Sequence, residues 1–133
     1  MTDVSRTEPI WLDATDALAI HDRQLAEHGG GIGVRDATIL ESALSRPVNR
    51  WHYGTDDAAE LAAAYAFDVA RNHPFVDGNK RTAWVLARLF LMINAHKIAF
   101  DKEDAVRTVL ALAAGDSTEH ELADWFRTRL VKP

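Results

Sequence analysis

Nine consecutive residues, His73-Pro74-Phe75-Val76-Asp77-Gly78-Asn79-Lys80-Arg81, hold most of the chemistry this chain offers. The imidazole of His73 is suited to taking a proton near neutral pH. Asp77 is a hard oxygen ligand of the kind Mg²⁺ accepts beside a phosphate. Lys80 and Arg81 add two positive charges. The order of the residues says how these groups are presented. A helix ends at His73, because Pro74 prevents its continuation. Gly78 permits a sharp turn or a close backbone approach. A new helix begins near Asn79, and its first amides have no intrahelical partner, so they can point at an anion. A base, a Mg²⁺ ligand and an anion cradle suit transfer of a phosphate-containing group from a nucleotide to a hydroxyl, chemistry that rests on positioning and charge stabilisation. A plainer reading uses the same residues: Asp77-Gly78 as a turn, Asn79 as a helix cap, Lys80 and Arg81 solvated, and His73 facing the helix dipole. Two cations at a helix N-terminus oppose the macrodipole and are relieved by an anion, but residue types alone leave both readings open.

The elements that must position this segment read as helices. Asp13 caps a first helix with Ala14, Ala17, Leu18 and Leu25 at helical spacing, and the glycine run at 29–33 ends it. Asp36 caps a second, with Ala37, Leu40 and Leu44 on one face, and Pro47 is expected to stop it. Residues 47–55 then form a polar, aromatic connection, within which 50–53 is the one stretch that fits a strand, half of a short hairpin. A third helix covers 57–73 with Ala58, Leu61, Ala62, Tyr65 and Val69 inward. The fourth, 79–96, is apolar on nearly every side and is expected to be the buried centre. Asp101 caps a fifth that stops at Gly115, and Asp116 with Glu119 has the spacing of a capping box for a sixth, which carries Leu122, Trp125, Phe126 and Leu130. The expected fold is an all-α bundle of about six helices around a buried central helix, with at most one short hairpin, in a single domain spanning 1–133.

Composition narrows the function. A chain of 133 residues fits one hydrophobic core. Its formal net charge of -5 argues against a sequence-independent grip on nucleic acid, although local cations can still hold one nucleotide. The absence of cysteine excludes disulfides, thiolate metal sites and cysteine nucleophiles. The longest apolar run, 83–93, is broken by Arg88 and is too short to span a membrane. Residues 1–11 lack a basic region followed by an apolar stretch, so a cytoplasmic protein without a membrane partner is expected. No hydrophobic strand precedes the glycine run, which therefore reads as a helix exit and not a dinucleotide loop. His21 shares the apolar face of Ala17, Leu18 and Leu25 and reads as a satisfied, partly buried histidine. His28, His52, His96 and His120 have no spacing that suits a closed metal site.

Residues 73–79 resemble the Fic motif, whose core reads His-Pro-Phe-x-Asp/Glu-Gly-Asn-Gly-Arg. Lys80 stands where that motif has its glycine after the asparagine, the mark of the Doc (death-on-curing) branch. His21-Asp22-Arg23, the glycine run, Val34-Arg35-Asp36 and Leu40-Glu41-Ser42-Ala43-Leu44-Ser45-Arg46-Pro47 are similar to the N-terminal half of Doc proteins. The resemblance implies a Fic/Doc helical bundle, a toxin of a toxin-antitoxin pair, and ATP and Mg²⁺ as cofactors. It implies that His73 is the catalytic histidine that accepts the proton of a target hydroxyl, and that Asp77 holds Mg²⁺. Gly78, Asn79 and the following helix start would form the anion-binding turn. Lys80 and Arg81 would bind nucleotide phosphates, Phe75 would anchor the loop, and 47–55 would be a flap that aligns the target.

The second Fic arginine, three residues after the first, is here Trp84. Lys80 and Trp84 together match the Doc branch, which is known for using ATP in a reversed orientation and transferring its terminal phosphate. The implied target is elongation factor Tu, whose phosphorylation halts translation. The implied partner is a Phd-type antitoxin, for which Trp51 and Tyr53 offer contacts unless they serve packing. A Fic-type AMP transferase is the alternative enzyme. A non-catalytic regulatory module is the third reading, and the complete set of His73, Asp77, Asn79 and Arg81 argues against it. No Ser/Thr-x-x-x-Glu-Gly/Asn inhibitory helix occurs: residues 117–121 come nearest but Leu122 follows. Inhibition in cis is therefore not expected.

Overall fold

Among the described residues, four of the six helices begin at an aspartate whose carboxylate accepts a first-turn amide, as N-cap chemistry requires. In the computed structural model, which describes residues 6–132, these are α1 (Ala14–His28), α2 (Ala37–His52), α3 (Ala58–Asn72) and α5 (Lys102–Ala114). Asp13 takes the Asp16 amide at 3.0 Å while Asp16 returns the bond to the Asp13 amide, a reciprocal box. Asp36, Asp57 and Asp101 cap through Ile39, Ala59 and Asp104. The two exceptions are α6 (Glu119–Arg129), capped by Thr118, and α4 (Asn79–Ile93), whose cap position is Gly78 and which no side chain caps. The leader reading of residues 1–11 and the domain span of 1–133 fall partly on 1–5 and 133, outside the described residues. Among the described residues no helix is long and apolar enough to cross a membrane.

Five expectations are corrected by the structure. Pro47 does not stop α2, which continues to His52. Leu40, Ala43, Leu44 and Pro47 are the buried residues of α2 and fall on one stripe, so the proline ring is itself part of the core. Burial of that ring offsets part of the cost of the lost amide bond, which would end an exposed helix. With α2 extended, the hairpin at 50–53 does not form. Trp51 instead lies edge-on to Trp11 with the Arg6 guanidinium over its ring, while Tyr53, just past the helix end, is exposed.

The centre of the bundle is α3, not α4. Nine residues of α3 are buried, six of them alanine, and helices α2, α4, α5 and α6 all pack on it. Small side chains suit an element enclosed on all sides, because they let neighbouring backbones approach. The larger apolar residues of α4 are those of a helix with one open side: Met92 is exposed, and Trp84, Val85 and Leu89 are half-buried. The fourth helix also stops at Ile93, with Asn94 at its C-cap, short of His96.

The capping box of α6 is Thr118 with Glu121, two residues beyond the expected pair. Asp116 is used in closing α5: its amide reaches Ala111 O and that of Gly115 reaches Leu112 O, the paired bonds of a Schellman ending. Glu119 is engaged by the guanidinium groups of Arg46 and Arg50 from α2.

Tyr65, wholly buried on α3, ties the segment before α1 to the centre. Its hydroxyl accepts the Leu12 amide at 2.9 Å, and burial pushes the phenol up to about 12. Two single-residue antiparallel bridges complete the molecule: Ile98 with Leu130, and Val34 with Phe75. The second of these builds the site.

Candidate active site

Residues 73–78 connect the end of α3 to the start of α4, and both ends of this loop are left-handed. His73, at the C-cap of α3, has φ 52 and ψ 64, and Gly78, at the N-cap of α4, has φ 76 and ψ 17. For glycine such a conformation is free of the Cβ clash. For His73 it is strained, and strain of this kind persists only where surrounding contacts enforce it. Here the enforcing residue is Arg35. Its guanidinium donates to His73 O at 2.6 Å and to Asn72 O at 2.7 Å, the carbonyls that the helix end leaves without amides. The Arg35 and Asp36 amides both reach Pro74 O, at 2.7 and 2.9 Å, and the Val76 amide reaches Gly33 O at 3.1 Å. The loop between α1 and α2 thus brackets the motif from outside.

Inside the loop, Phe75 is fully buried and its ring stacks on that of His21, with centroids 3.9 Å apart and planes 8° from parallel. Asn79 uses its whole carboxamide on the Phe75 backbone, accepting its amide at 2.9 Å and donating to its carbonyl at 3.0 Å. The Asn79 side chain is therefore a brace for the turn, and what it leaves to an anion is its main-chain amide. The first helical bond of α4 runs from the Thr82 amide to Gly78 O at 3.0 Å. The amides of Asn79, Lys80 and Arg81 have no partner among the described residues, which is the arrangement that accepts an anion. Lys80 and Arg81 are exposed and make no ion pair among the described residues.

The Asp77 carboxylate accepts the Gly78 amide at 2.9 Å and the Gly31 amide at 3.3 Å. These two bonds, Gly31 first, hold it below the usual carboxylate range, with the Arg81 charge helping. It stays ionised and exposed. Among the described residues no three His, Asp or Glu side chains gather into a cage. One carboxylate beside an anion site nevertheless fits Mg²⁺, which is commonly held by one or two carboxylates together with substrate phosphates and water. A cleft of about 400 Å³ between Arg6, Trp51, Phe90 and His96 shares no residue with the motif. A nucleotide at 73–81 would lie on an open face.

All six sequence-predicted site residues thus sit on this loop or in the first turn of α4. Three contributors were not read from sequence: Arg35, the Gly31 amide and the His21 ring nitrogen, which meets Asp77 O at 2.8 Å. A signal for the glycine run exists only in three dimensions. A Cβ at Gly31 would lie 2.9 Å from Val76 Cγ1, and one at Gly30 would lie 3.0 Å from Asp77 Oδ2. The run ends α1 as expected, through Gly29, but its next two glycines let the loop close on Asp77.

A family profile described as Fic/DOC matches residues 11–91, which include α1, the bracketing loop and the whole motif. The chain belongs to the Fic/DOC family. It is 47% identical over 94 residues to the toxin Doc of Mycolicibacterium smegmatis, covering 68% of this chain and 69% of that one. It is 33% identical over 113 residues to the protein kinase doc of Escherichia phage P1, covering 84% of this chain and 89% of that one. These relatives place the Fic/DOC chain among the Doc toxins.

One departure of this Fic/DOC chain from the longer Fic motif has a structural cause. Trp84, at the position of the second arginine, stacks on Phe126 with centroids 5.9 Å apart and meets Phe100 and Trp125 edge-on. It is committed to the contact between α4, α6 and the segment before α5. The cations on the first turn of α4 are then Lys80 and Arg81.

Proposed function

We propose that this chain is the toxin of a toxin-antitoxin pair and a protein kinase of the Doc kind, with residues 1–133 as one Fic/Doc domain. It transfers the terminal phosphoryl group of ATP to a hydroxyl of elongation factor Tu, in the cytoplasm, and so arrests translation. The observation that carries this reading is the uncapped start of α4, with two unpaired cations and an ionised carboxylate, directly after a histidine held in a strained left-handed cap.

The amides of Asn79, Lys80 and Arg81, with the Lys80 and Arg81 side chains, bind the polyphosphate and stabilise the charge that builds up during transfer. Asp77 would hold Mg²⁺, which when bound neutralises phosphate charge. His73 accepts the proton of the target hydroxyl as its oxygen bonds to the terminal phosphorus. The bond from that phosphorus to the bridging oxygen breaks, and ADP leaves. Phe75, Asn79 and Arg35 keep the loop in place. The antitoxin is of the Phd type. Tyr53, exposed at the end of α2, is available to it, whereas Trp51 is largely taken up by packing.

The test is intact-mass analysis of elongation factor Tu after incubation with this protein, Mg²⁺ and ATP, repeated with α- and γ-labelled nucleotide. A phosphoryl increment carrying only the γ label is expected. An adenylyl increment carrying the α label overturns the kinase reading in favour of AMP transfer, and no modification overturns the target. His73→Ala should abolish transfer and growth arrest while its circular dichroism matches the parent; a fully toxic variant removes His73 as the base.

A further inference from the structure

His21 is one of only two buried residues of α1, with Ala17 one turn before it. A buried imidazole must find a polar partner, and this one finds a main-chain carbonyl in the motif. Its Nε2 lies 2.8 Å from Asp77 O. A carbonyl oxygen only accepts, so the proton of this contact sits on Nε2. The stack on Phe75 fixes the plane of the ring, and the hydrogen bond then fixes the direction of the carbonyl.

The consequence follows from peptide geometry. The Asp77–Gly78 peptide is planar and trans, so its carbonyl and its amide point to opposite sides. Holding Asp77 O on His21 turns the Gly78 amide the other way, where it meets Asp77 Oδ1 at 2.9 Å. It also sets φ of Gly78, and with it the point at which α4 begins. Were this peptide to flip, the Gly78 amide would leave the carboxylate, and the unpartnered amides of α4 would change direction. Glycine at position 78 makes such a flip cheap, because it has no Cβ to forbid the alternative. The loop therefore needs an external lock, and no other described side chain bonds Asp77 O.

We propose that His21 is a positioning residue of the transfer site: it locks the Asp77–Gly78 peptide so that the Asp77 carboxylate and the first amides of α4 face one nucleotide phosphate and its metal. It acts through the loop and touches no reactant. The proposal rests on the nucleotide reading of the site given above, but its lock is observable without any nucleotide.

The experiment uses the full chain. In ¹⁵N-labelled parent protein, His21 should show the Nε2-protonated tautomer with a slowly exchanging ring proton; a ring protonated only on Nδ1 overturns the lock. His21→Phe keeps the stack and removes the donor, whereas His21→Gln places an amide nitrogen near the position of Nε2. Without nucleotide, the Gly31 and Gly78 amide resonances should move or broaden in His21→Phe and stay near parent positions in His21→Gln. Unchanged resonances in His21→Phe overturn the proposal. Calorimetry with Mg²⁺ and a non-hydrolysable ATP analogue should then show binding roughly tenfold weaker in His21→Phe and recovery in His21→Gln, the size expected when a partner that orients a metal ligand is removed. Equal affinity in both variants and the parent overturns it too. If the parent binds no nucleotide while the loop resonances respond as stated, the nucleotide reading fails and the lock stands. If His21→Phe does not fold, the parent tautomer and His21→Gln decide.

Discussion

A single methyl group at Gly30 tests whether the glycine run serves Asp77 or merely ends a helix. Gly30 has φ 127, a region that residues with side chains rarely enter. A Cβ there would lie 3.0 Å from Asp77 Oδ2, 3.2 Å from Asp77 Cγ and 3.1 Å from Leu25 Cδ2. Backbone strain in Gly30→Ala should cost about 1–3 kcal/mol, and the carboxylate must shift by a few tenths of an ångström to make room. Gly29→Ala is the matched control. Gly29 also has positive φ, 75, but a Cβ there meets nothing within 4 Å. It should lose about 1–3 kcal/mol from its positive-φ extended backbone alone, a region essentially restricted to glycine. Urea unfolding should therefore find the two variants comparably destabilised. Only Gly30→Ala displaces Asp77, the proposed Mg²⁺ ligand. Titrating Mg²⁺ in the γ-label transfer assay should then show a half-saturating concentration raised by roughly tenfold or more in Gly30→Ala. In Gly29→Ala it should stay within about twofold of the parent, as for a surface change away from the site. The same Mg²⁺ dependence in both variants would refute the reasoning, because the contact with Asp77 is all that separates them.

Three further outcomes are expected. Burial raises the Tyr65 phenol from its ordinary 10.0 to about 12, so folding favours the neutral form. That stability is intact below about pH 10 and is lost as pH rises towards 12, by about 2–3 kcal/mol for two pH units; urea melts across this window should fall for the parent more steeply than for Tyr65→Phe. Pro47→Ala restores the amide missing inside α2, worth about 3 kcal/mol in a helix interior, and removes two buried carbons at about 0.8 kcal/mol each. The variant should gain about 1 kcal/mol in chemical denaturation, and a loss would mean that the ring's packing was underestimated. Trp84→Arg, which restores the Fic arginine, should destabilise by about 3 kcal/mol through loss of the aromatic contacts without producing AMP transfer; an α-labelled product would show that this position selects the reaction.

How far the fold could be read depended on whether a feature is local. Asp13, Asp36, Asp57 and Asp101 were legible as helix starts because an N-cap is a bond between a side chain and an amide two or three residues on. The Gly29 and Gly115 endings were legible for the same reason. The motif turn was legible because Pro74 forbids and Gly78 permits particular backbone angles. Where a residue had two local readings, sequence chose wrongly. Asp116 had the spacing of a cap for α6, and the α5 ending took it. Pro47 was offered to a helix stop, and a core with room for its ring kept it helical.

The site divides along the same line. His73, Asp77, Gly78, Asn79, Lys80 and Arg81 are contiguous or nearly so, and their order alone specified a turn between two helices, the second starting with exposed cations and free first-turn amides. Residue order could not show that α3 would be enclosed on all sides, that Arg35 would hold His73 from 38 positions away, or that Gly31 and His21 would close on Asp77. Those contacts join segments far apart in the chain. Their energies become available only when the helices pack, and only tertiary structure could assign them.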